Sequence, residues 1–390
     1  MTIIYISSLV STSALNIVRR LSPDFCGYAA QKFNRLVVEG FSNNNVSVKV
    51  LSSFPNSSGF RRAVNKNEKE GGVSYKYIGA IRAKALNHFI VSIRCFIWVL
   101  LIGVKHPKET IMVCDVLNIS ACIGGLIAAK LLGLRRVGIV TDIPGYGVGD
   151  VKSLGHSFKT KLNLYFISHF SHYVLLTEKM NGCVNPHSRP YIVMEGLVDN
   201  NTRLSDKNEK YSKRIIIYAG GLYEQYGIKM LVDAFDGLDE DDIELWLYGD
   251  GQFVSSIIEY NRRNPKIVYK GICSNDVIVE EEKKATLLVN PRPTHEKYSE
   301  LSFPSKNMEY MVSGTPLLTT QLPGMPEEYR QYVFVFDKGE TVEGYKTVLK
   351  KVLSLSKDCL DAKGSLAQQW VLGNKNNIFQ TRRILSLVNE

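Results

Sequence analysis

"SELSFPSKNMEYMVSGTPLLTT", residues 299–320, carries a helix directly into a strand. Met308, Met311 and Val312 have the i, i+3, i+4 spacing of a core-facing helical stripe, and Ser305 and Glu309 lie on another face. Gly314 and Pro316 then stop the helix, and "LLTT" starts the strand. The helix begins oddly. Lys306 in the first turn opposes the positive end of the macrodipole, and Lys306 followed by Glu309 is the weaker direction for a helical ion pair. An anion from outside the chain accounts for both features. Free backbone N–H groups near residues 303–306 form an anion site, and Lys306 supplies a full charge. The plainer alternative is a Lys306–Glu309 surface pair worth about 0.2–0.5 kcal/mol.

Outward from this stretch, strand and helix signals alternate, the pattern of an α/β fold. In the first half "TIIYISS", "VSVKVLSS", "TIMVCDV", "RRVGIVTDI", "HYVLLT" and "YIVMEG" read as short strands, with helical patterns such as "YAAQKFNRLVVEGFSN" between them. The second half restarts with "RIIIYAGG" and continues through "IELWLYGDG", "IVYKG", "ATLLVNPR", "TPLLTT" and "YVFVFD". The polar segment 199–214 reads as a linker. The expectation is two Rossmann-like parallel-sheet domains facing across a cleft, residues 1–198 and 199–370, with a C-terminal helix over 371–390 packing back toward the first. Open parallel sheets bind ligands at the carboxyl ends of their strands. Three such ends stand out: Gly220 and Gly221, then Gly249 and Gly251, then Arg292 just beyond "LLVN". A tight βα turn is the plain reading of any one glycine pair. Three unusual ends beside the anion-binding helix start point to one ligand site.

At 390 residues and 45% apolar, the chain is long enough for two folded cores. Seven scattered cysteines with no CxxC read as reduced thiols of a cytoplasmic protein. The N-terminus lacks the basic start and cleavage site of a signal peptide. The longest apolar run, "CFIWVLLIGV" at 95–104, is too short to span a bilayer. The net charge of +10 predicts attraction to anionic surfaces. No zinc finger, RNP-like motif or basic helix supports nucleic acid as the partner.

"FPSKNMEYMVSGTP" resembles the nucleotide-sugar site of family 4 retaining glycosyltransferases, which have the GT-B fold. "YAGGLYEQYGIKMLVDAF", "LYGDG", "NPRP" and "TTQLPGMPEEY" are similar to the bacterial surface-polysaccharide branch, the one that includes capsule and O-antigen synthesis. The resemblance is strongest over 215–340 and looser in the first half, where "GIVTDIPGYG" and "VMEGLVD" carry it. It implies transfer of a sugar from a UDP- or GDP-sugar with anomeric retention and no metal or cofactor. Glu309 then takes the ribose-binding role and the "SFPSK" turn, with Phe303 and Ser305, the diphosphate role. Gly220, Gly221, Gly249, Gly314 and Thr315 complete the donor set.

Three positions depart from the family pattern. The second glutamate of the family's pair falls at Leu301, with Glu300 beside it, so that carboxylate is shifted by one or absent. The cations of the glycine-rich turn fall at Gly221 and Tyr226, and Arg292 and Lys306 are the expected stand-ins. The first-domain histidine falls at Thr141, next to Asp142, so its role does not carry over. The candidate catalytic set is Lys306, Arg292, Glu300 and Asp142. A non-catalytic paralogue that binds nucleotide or glycan, or a nucleotide-sugar epimerase, stays open.

Residues 61–108 hold Arg61, Arg62, Lys66, Lys69, Lys76, Arg82, Lys84, Arg94, Lys105 and Lys108 among aromatics including Phe60, Tyr75, Tyr77, Phe89, Phe96 and Trp98. That composition fits a protein lying on an anionic membrane surface, peripheral on the inner face of the cell membrane, with a lipid-linked glycan acceptor. The alternative for "HFIVSIRCFIWVLLIGV" is a core helix flanked by solvated lysines.

Overall fold

The computed structural model describes residues 1–21, 28–54, 67–79, 84–144, 158–202 and 209–389. Cys26, Phe60, Arg61, Arg62, Lys66, Arg82 and the "GYG" at 145–147 lie outside these residues, and only the backbone of Lys84 is described. The chain forms two units, one of Met1–Leu197 with Asn377–Glu390 and one of Val198–Asn376.

In the first unit the chain runs β1 (Thr2–Ser7), α1 (Thr12–Leu21), α2 (Tyr28–Asn43), β2 (Ser47–Ser52), β3 (Asn67–Glu70), β4 (Val73–Tyr77), α3 (Lys84–Gly103) and β5 (Thr110–Asp115). It continues through α4 (Ile119–Leu131), β6 (Arg135–Val140), α5 (Phe158–Ile167), β7 (His172–Leu175), α6 (Met180–Val184) and β8 (Tyr191–Val193). The sheet order is β3-β4-β2-β1-β5-β6-β7-β8, parallel except for β3 against β4. Central β5 is buried at every position, which is why it reads as an unbroken apolar run rather than an alternation.

The β3–β4 hairpin lies inside the segment that sequence reasoning treated only as basic and aromatic. Its two-residue turn, Gly71-Gly72, has positive φ at both positions, as a hairpin matching strand twist requires. The two acids of that segment are engaged locally. Glu70 accepts from the N–H groups of Thr12 and Ser13 at the start of α1, and Glu68 accepts from the Tyr77 hydroxyl at 2.9 Å.

Helix α3 is longer than the ten-residue run suggested. Leu86–Gly103 is by length and composition apolar enough to cross a membrane. His88 and Arg94 interrupt the apolar run in sequence, but the helix sets His88 against Ser120 of α4, at 2.7 Å, and leaves Arg94 at the edge of the apolar stripe, donating to the Gly79 carbonyl at 3.1 Å. In the fold α3 is the crossover between β4 and β5, packed along α4. Close approach is possible because Gly124 sits against it: a Cβ there would fall 1.9 Å from the Ser92 carbonyl oxygen.

The second unit runs β9 (Arg214–Ala219), α7 (Ile228–Asp236), β10 (Ile243–Tyr248), α8 (Val254–Arg263), β11 (Ile267–Gly271), α9 (Asn275–Lys284), β12 (Leu287–Asn290) and α10 (Lys297–Glu300). After these come α11 (Ser305–Ser313), β13 (Leu317–Thr319), β14 (Phe334–Val335), α12 (Val342–Leu353) and α13 (Lys357–Asn374). All six strands are parallel, in the order β11-β10-β9-β12-β13-β14. Ile216, Leu231, Leu245, Leu287 and Leu349 lie in the buried core of this unit.

The C-terminal segment is divided at a different place from the expected 371. Helix α13 stays with the second unit through Asn374 because Ala367, Gln368 and Val371 are buried there, with Gln368 Nε2 donating to the Val312 carbonyl at 2.8 Å. The last helix, α14 (Asn377–Asn389), belongs to the first unit. It packs on α2, where a Cβ on Gly40 would lie 2.3 Å from the Asn377 carbonyl oxygen.

Candidate functional site

Strand β9 has β10 on one side and β12 on the other. The chain leaves β9 toward β10, while the loop after β12 turns the opposite way, so a crevice opens at the carboxyl ends of these two strands. A doubly wound sheet binds its ligand at such a switch point. The turn after β9 holds Gly220 and Gly221, and the loop after β12 holds Arg292. Helix α11 runs back against the strands, so its N-terminus reaches the same edge.

Three bonds fix these pieces together. The Tyr310 hydroxyl, fully buried, meets the Ala219 N–H at 2.8 Å, pinning α11 to the end of β9. Asn290 Nδ2 at the end of β12 donates to Asn307 Oδ1 in the first turn of α11 at 2.6 Å, and both side chains are buried. The Tyr298 hydroxyl donates to the Gln225 carbonyl at 2.6 Å, tying α10 to the turn after β9. The amide nitrogen of Asn307 has no hydrogen-bond partner within the structure, a buried donor at the helix start.

Arg292 rests against a pair of aromatic rings, its guanidinium carbon 5.2 Å from the centroids of both Tyr226 and Tyr298, which meet each other edge to face at 6.4 Å. One N–H donates to Ser302 Oγ at 3.2 Å. A guanidinium has five N–H donors, so the others can serve an anion. Burial pushes the nearby Tyr218 hydroxyl up, and the charge of Arg292 partly opposes that shift. Burial likewise raises Tyr298, to about 12, again against Arg292. Both tyrosines stay neutral, and the Tyr298 ring, together with that of Tyr226, serves as a platform for the cation.

Pro304 precedes α11 with extended backbone and offers no side-chain cap. The Asn307 backbone N–H is taken by the Pro304 carbonyl at 3.0 Å, which leaves those of Ser305 and Lys306 to an outside acceptor. Lys306 Nζ lies 2.9 Å from Glu309, with the side chains 30% and 20% exposed, so the pair is half-buried rather than a loose surface contact. Burial works against the charge of Lys306, but Glu309 and Glu282 outweigh it and hold its pKa above the ordinary lysine value. An ammonium has three donors, and the bond to Glu309 uses one of them.

The glycines divide in role. A Cβ on Gly221 would press on the Tyr223 and Tyr226 rings, at 2.9–3.0 Å. Gly249 adopts φ 127°, and a Cβ there would lie 1.9 Å from the Gly220 carbonyl oxygen. Gly249 thus supports the turn after β9 from beneath, packing backbone on backbone. Phe303 is buried just ahead of α11, its ring 5.3 Å from that of Tyr329. Glu300 closes α10 and is partly exposed, as is Leu301 after it.

Gly314 and Thr315 do not join this group. They sit at the opposite end of α11, roughly 13 Å along a nine-residue helix. Thr315 is fully buried, its hydroxyl donating to the Glu282 carbonyl at 2.7 Å and accepting from Lys210 Nζ at 2.8 Å, while Gly314 takes the left-handed conformation that ends the helix. Their work is structural. Asp142 belongs to the first unit, exposed just beyond β6.

Sequence reasoning missed the platform of Tyr226 and Tyr298, the Tyr310 pin and the Asn290–Asn307 pair. Tyr226 drew notice only as a missing lysine. A run of tyrosines near glycine turns was the available signal, but nothing in sequence shows which rings meet. Among the described residues no three His, Cys, Asp or Glu side chains gather as a metal cluster.

Residues 213–354 match the family model described as "Glycosyl transferases group 1". A comparison with curated protein sequences gives no match. Among solved structures, the fold is similar to Anabaena HepE in complex with UDP, at 12% identity and TM-score 0.63, covering 100% of both chains. It is similar to a glycosyltransferase from Rickettsia africae, at 13% identity and TM-score 0.66, covering 99% of this chain and 97% of that one. The lipopolysaccharide outer core galactosyltransferase WaaB is a third, at 14% identity and TM-score 0.60, covering 100% and 99%. These likenesses, with the two parallel-sheet units, show the GT-B fold, and the matched segment contains the whole candidate site in the second unit.

Proposed function

We propose that this protein is a retaining, family 4-type glycosyltransferase that moves a sugar from a UDP- or GDP-sugar to a growing, lipid-linked surface glycan. The observation that carries the reading is the crevice between β9 and β12, where Arg292 on its two tyrosines and the open start of α11 converge inside the segment that matches the glycosyl transferase model. HepE was solved with UDP and with UDP-glucose, which supports a nucleotide-sugar donor here.

In this reading the diphosphate lies against the N–H groups at Ser305 and the guanidinium of Arg292. The bond from the anomeric carbon to the diphosphate oxygen breaks, and negative charge grows on the departing phosphate. Arg292 and Lys306 neutralise that charge in the role a metal ion has in other enzymes, an interaction worth most in the transition state. Glu309 accepts from the ribose hydroxyls, braced by Lys306. The acceptor oxygen attacks the same face of the sugar, and its proton passes to the departing phosphate oxygen. Within the second unit, Glu300 is the carboxylate assigned to the sugar; Asp142 is the residue assigned to the acceptor in the first unit. The protein works in the cytoplasm, on the inner face of the cell membrane, where its basic 61–108 segment favours an anionic surface.

A second reading, a nucleotide- or glycan-binding paralogue without turnover, is favoured by one observation: Lys306 is engaged by Glu309. Measuring release of nucleoside diphosphate from UDP- and GDP-sugars, with and without acceptor lipids, separates the two. Release that rises with acceptor supports transfer. Tight nucleotide binding with no release under any acceptor leaves the scaffold.

A further inference from the structure

Helix α3 shows its apolar side to solvent. Leu86, Phe89, Ile93, Ile97, Leu101 and Val104 are all exposed, Phe89 at 64%. Their spacing of three or four places them on one stripe, opposite the buried Val91, Cys95 and Val99. No polar side chain interrupts the stripe, which runs the length of a 20-residue helix, roughly 30 Å. On α4, which packs beside α3, Ile127 and Leu131 are exposed as well, at 50% and 70%. A soluble helix normally turns a polar face outward, and an apolar patch of this extent marks a contact surface.

The charges around the stripe say what it contacts. Helices α3, α4 and α5 contain no acidic residue. Lys105, Lys108, Lys130, Lys159 and Lys161 are exposed on or next to these helices. Glu109, in the loop after α3, faces the chain's own N-terminal ammonium at 3.9 Å. A second copy docked on this face would set lysines against lysines, whereas anionic lipid matches both the apolar stripe and its basic border.

We propose that α3 lies in the plane of an anionic membrane surface, with its outer stripe among the acyl chains and the flanking lysines among the headgroups. This rests on the membrane-surface reading above and changes its physics. The basic segment alone predicts binding that salt removes, because the Debye length falls to roughly 3 Å at 1 M. A buried apolar stripe predicts a salt-resistant part.

The test is co-sedimentation of the full chain with phosphatidylglycerol and phosphatidylcholine vesicles at low and high salt, beside the variant Phe89→Gln/Ile93→Gln/Ile97→Gln. The expected result is wild-type binding to phosphatidylglycerol that persists in part at high salt, and a loss of at least about tenfold in that part for the variant. Thermal stabilisation by UDP should be unchanged, since the three positions lie in the first unit and on its surface. Should the triple variant fail to fold, Phe89→Gln alone gives the same sign with a smaller loss. Binding that salt abolishes completely, or that the variant keeps in full, overturns the stripe and leaves the electrostatic reading standing. No wild-type binding at low salt overturns both. A concentration-dependent dimer that the variant abolishes assigns the face to a second copy instead.

Discussion

Arg292 reaches the crevice from the loop after β12, but its position is set by the edge-to-face pair of Tyr226 and Tyr298, against which the guanidinium rests. Tyr226 stands where the resemblance places a lysine, and in the proposed reading Arg292 supplies that charge from the neighbouring strand end. Arg292→Ala should lower turnover by about 10²–10³, the scale of losing one stabiliser of transition-state charge. Adding Tyr226→Lys should recover part of that loss if the charge matters more than its carrier. No recovery in a stable double variant, judged by steady-state rates at saturating donor, would mean the arginine has a role a lysine cannot fill. Glu309→Gln should weaken donor binding by roughly 1–3 kcal/mol, a lost charged hydrogen bond, which calorimetric titration with the UDP- or GDP-sugar measures. Unchanged affinity would return Glu309 to the role of partner for Lys306. Lys306 and Glu309 were legible in the sequence because a helix fixes its neighbours by spacing alone. The platform was not, since Tyr226, Arg292 and Tyr298 meet only once three separate connections have folded.

Backbone contact decides the geometry of the elements at two glycines. Gly124 lets α3 lie on α4, and Gly124→Ala would place a Cβ 1.9 Å from the Ser92 carbonyl oxygen, against backbone that cannot swing aside. A cost of about 1–3 kcal/mol follows from such overpacking, visible as a lower Tm with UDP binding retained. An unchanged Tm would mean that the helices part at no cost. Gly249→Ala faces the same obstacle beneath Gly220, with a strained φ of 127° in addition. It should destabilise the second unit and weaken donor binding together, because the displaced turn is the one over the crevice. Loss of stability with donor affinity unaltered would separate Gly249 from the site. At this scale the parallel strands were legible as short apolar runs, and so was α11 with its stop at Gly314. The β3–β4 hairpin is hard to read from sequence because its strands are short and charged, and only Gly71-Gly72 marks the turn. Read as one helix, "HFIVSIRCFIWVLLIGV" comes close to the observed Lys84–Gly103, whereas the unbroken apolar run alone does not, because Arg94 breaks it in one dimension.

For the molecule as a whole, the two-unit GT-B architecture follows from the alternation of strands and helices and its restart at Arg214. The boundary near the C-terminus did not follow, since Lys357–Asn374 and Asn377–Asn389 read as helix throughout and only burial assigns each to its unit. The account gives the second unit donor binding and the charge that stabilises the departing diphosphate, and gives the first unit the acceptor and the membrane. Turnover should then survive EDTA, because Arg292 and Lys306 supply the positive charge; strict dependence on added magnesium or manganese would contradict that assignment. The most direct test of the central claim is the rate of nucleoside diphosphate release from UDP- and GDP-sugars by wild type and Arg292→Ala, with anionic vesicles carrying acceptor lipids. The account predicts release by the wild type from one of these donors, faster with the acceptor lipids than without, and largely lost in Arg292→Ala while the nucleoside still binds. Equal release by both proteins, or none from any donor with acceptor present, would contradict it.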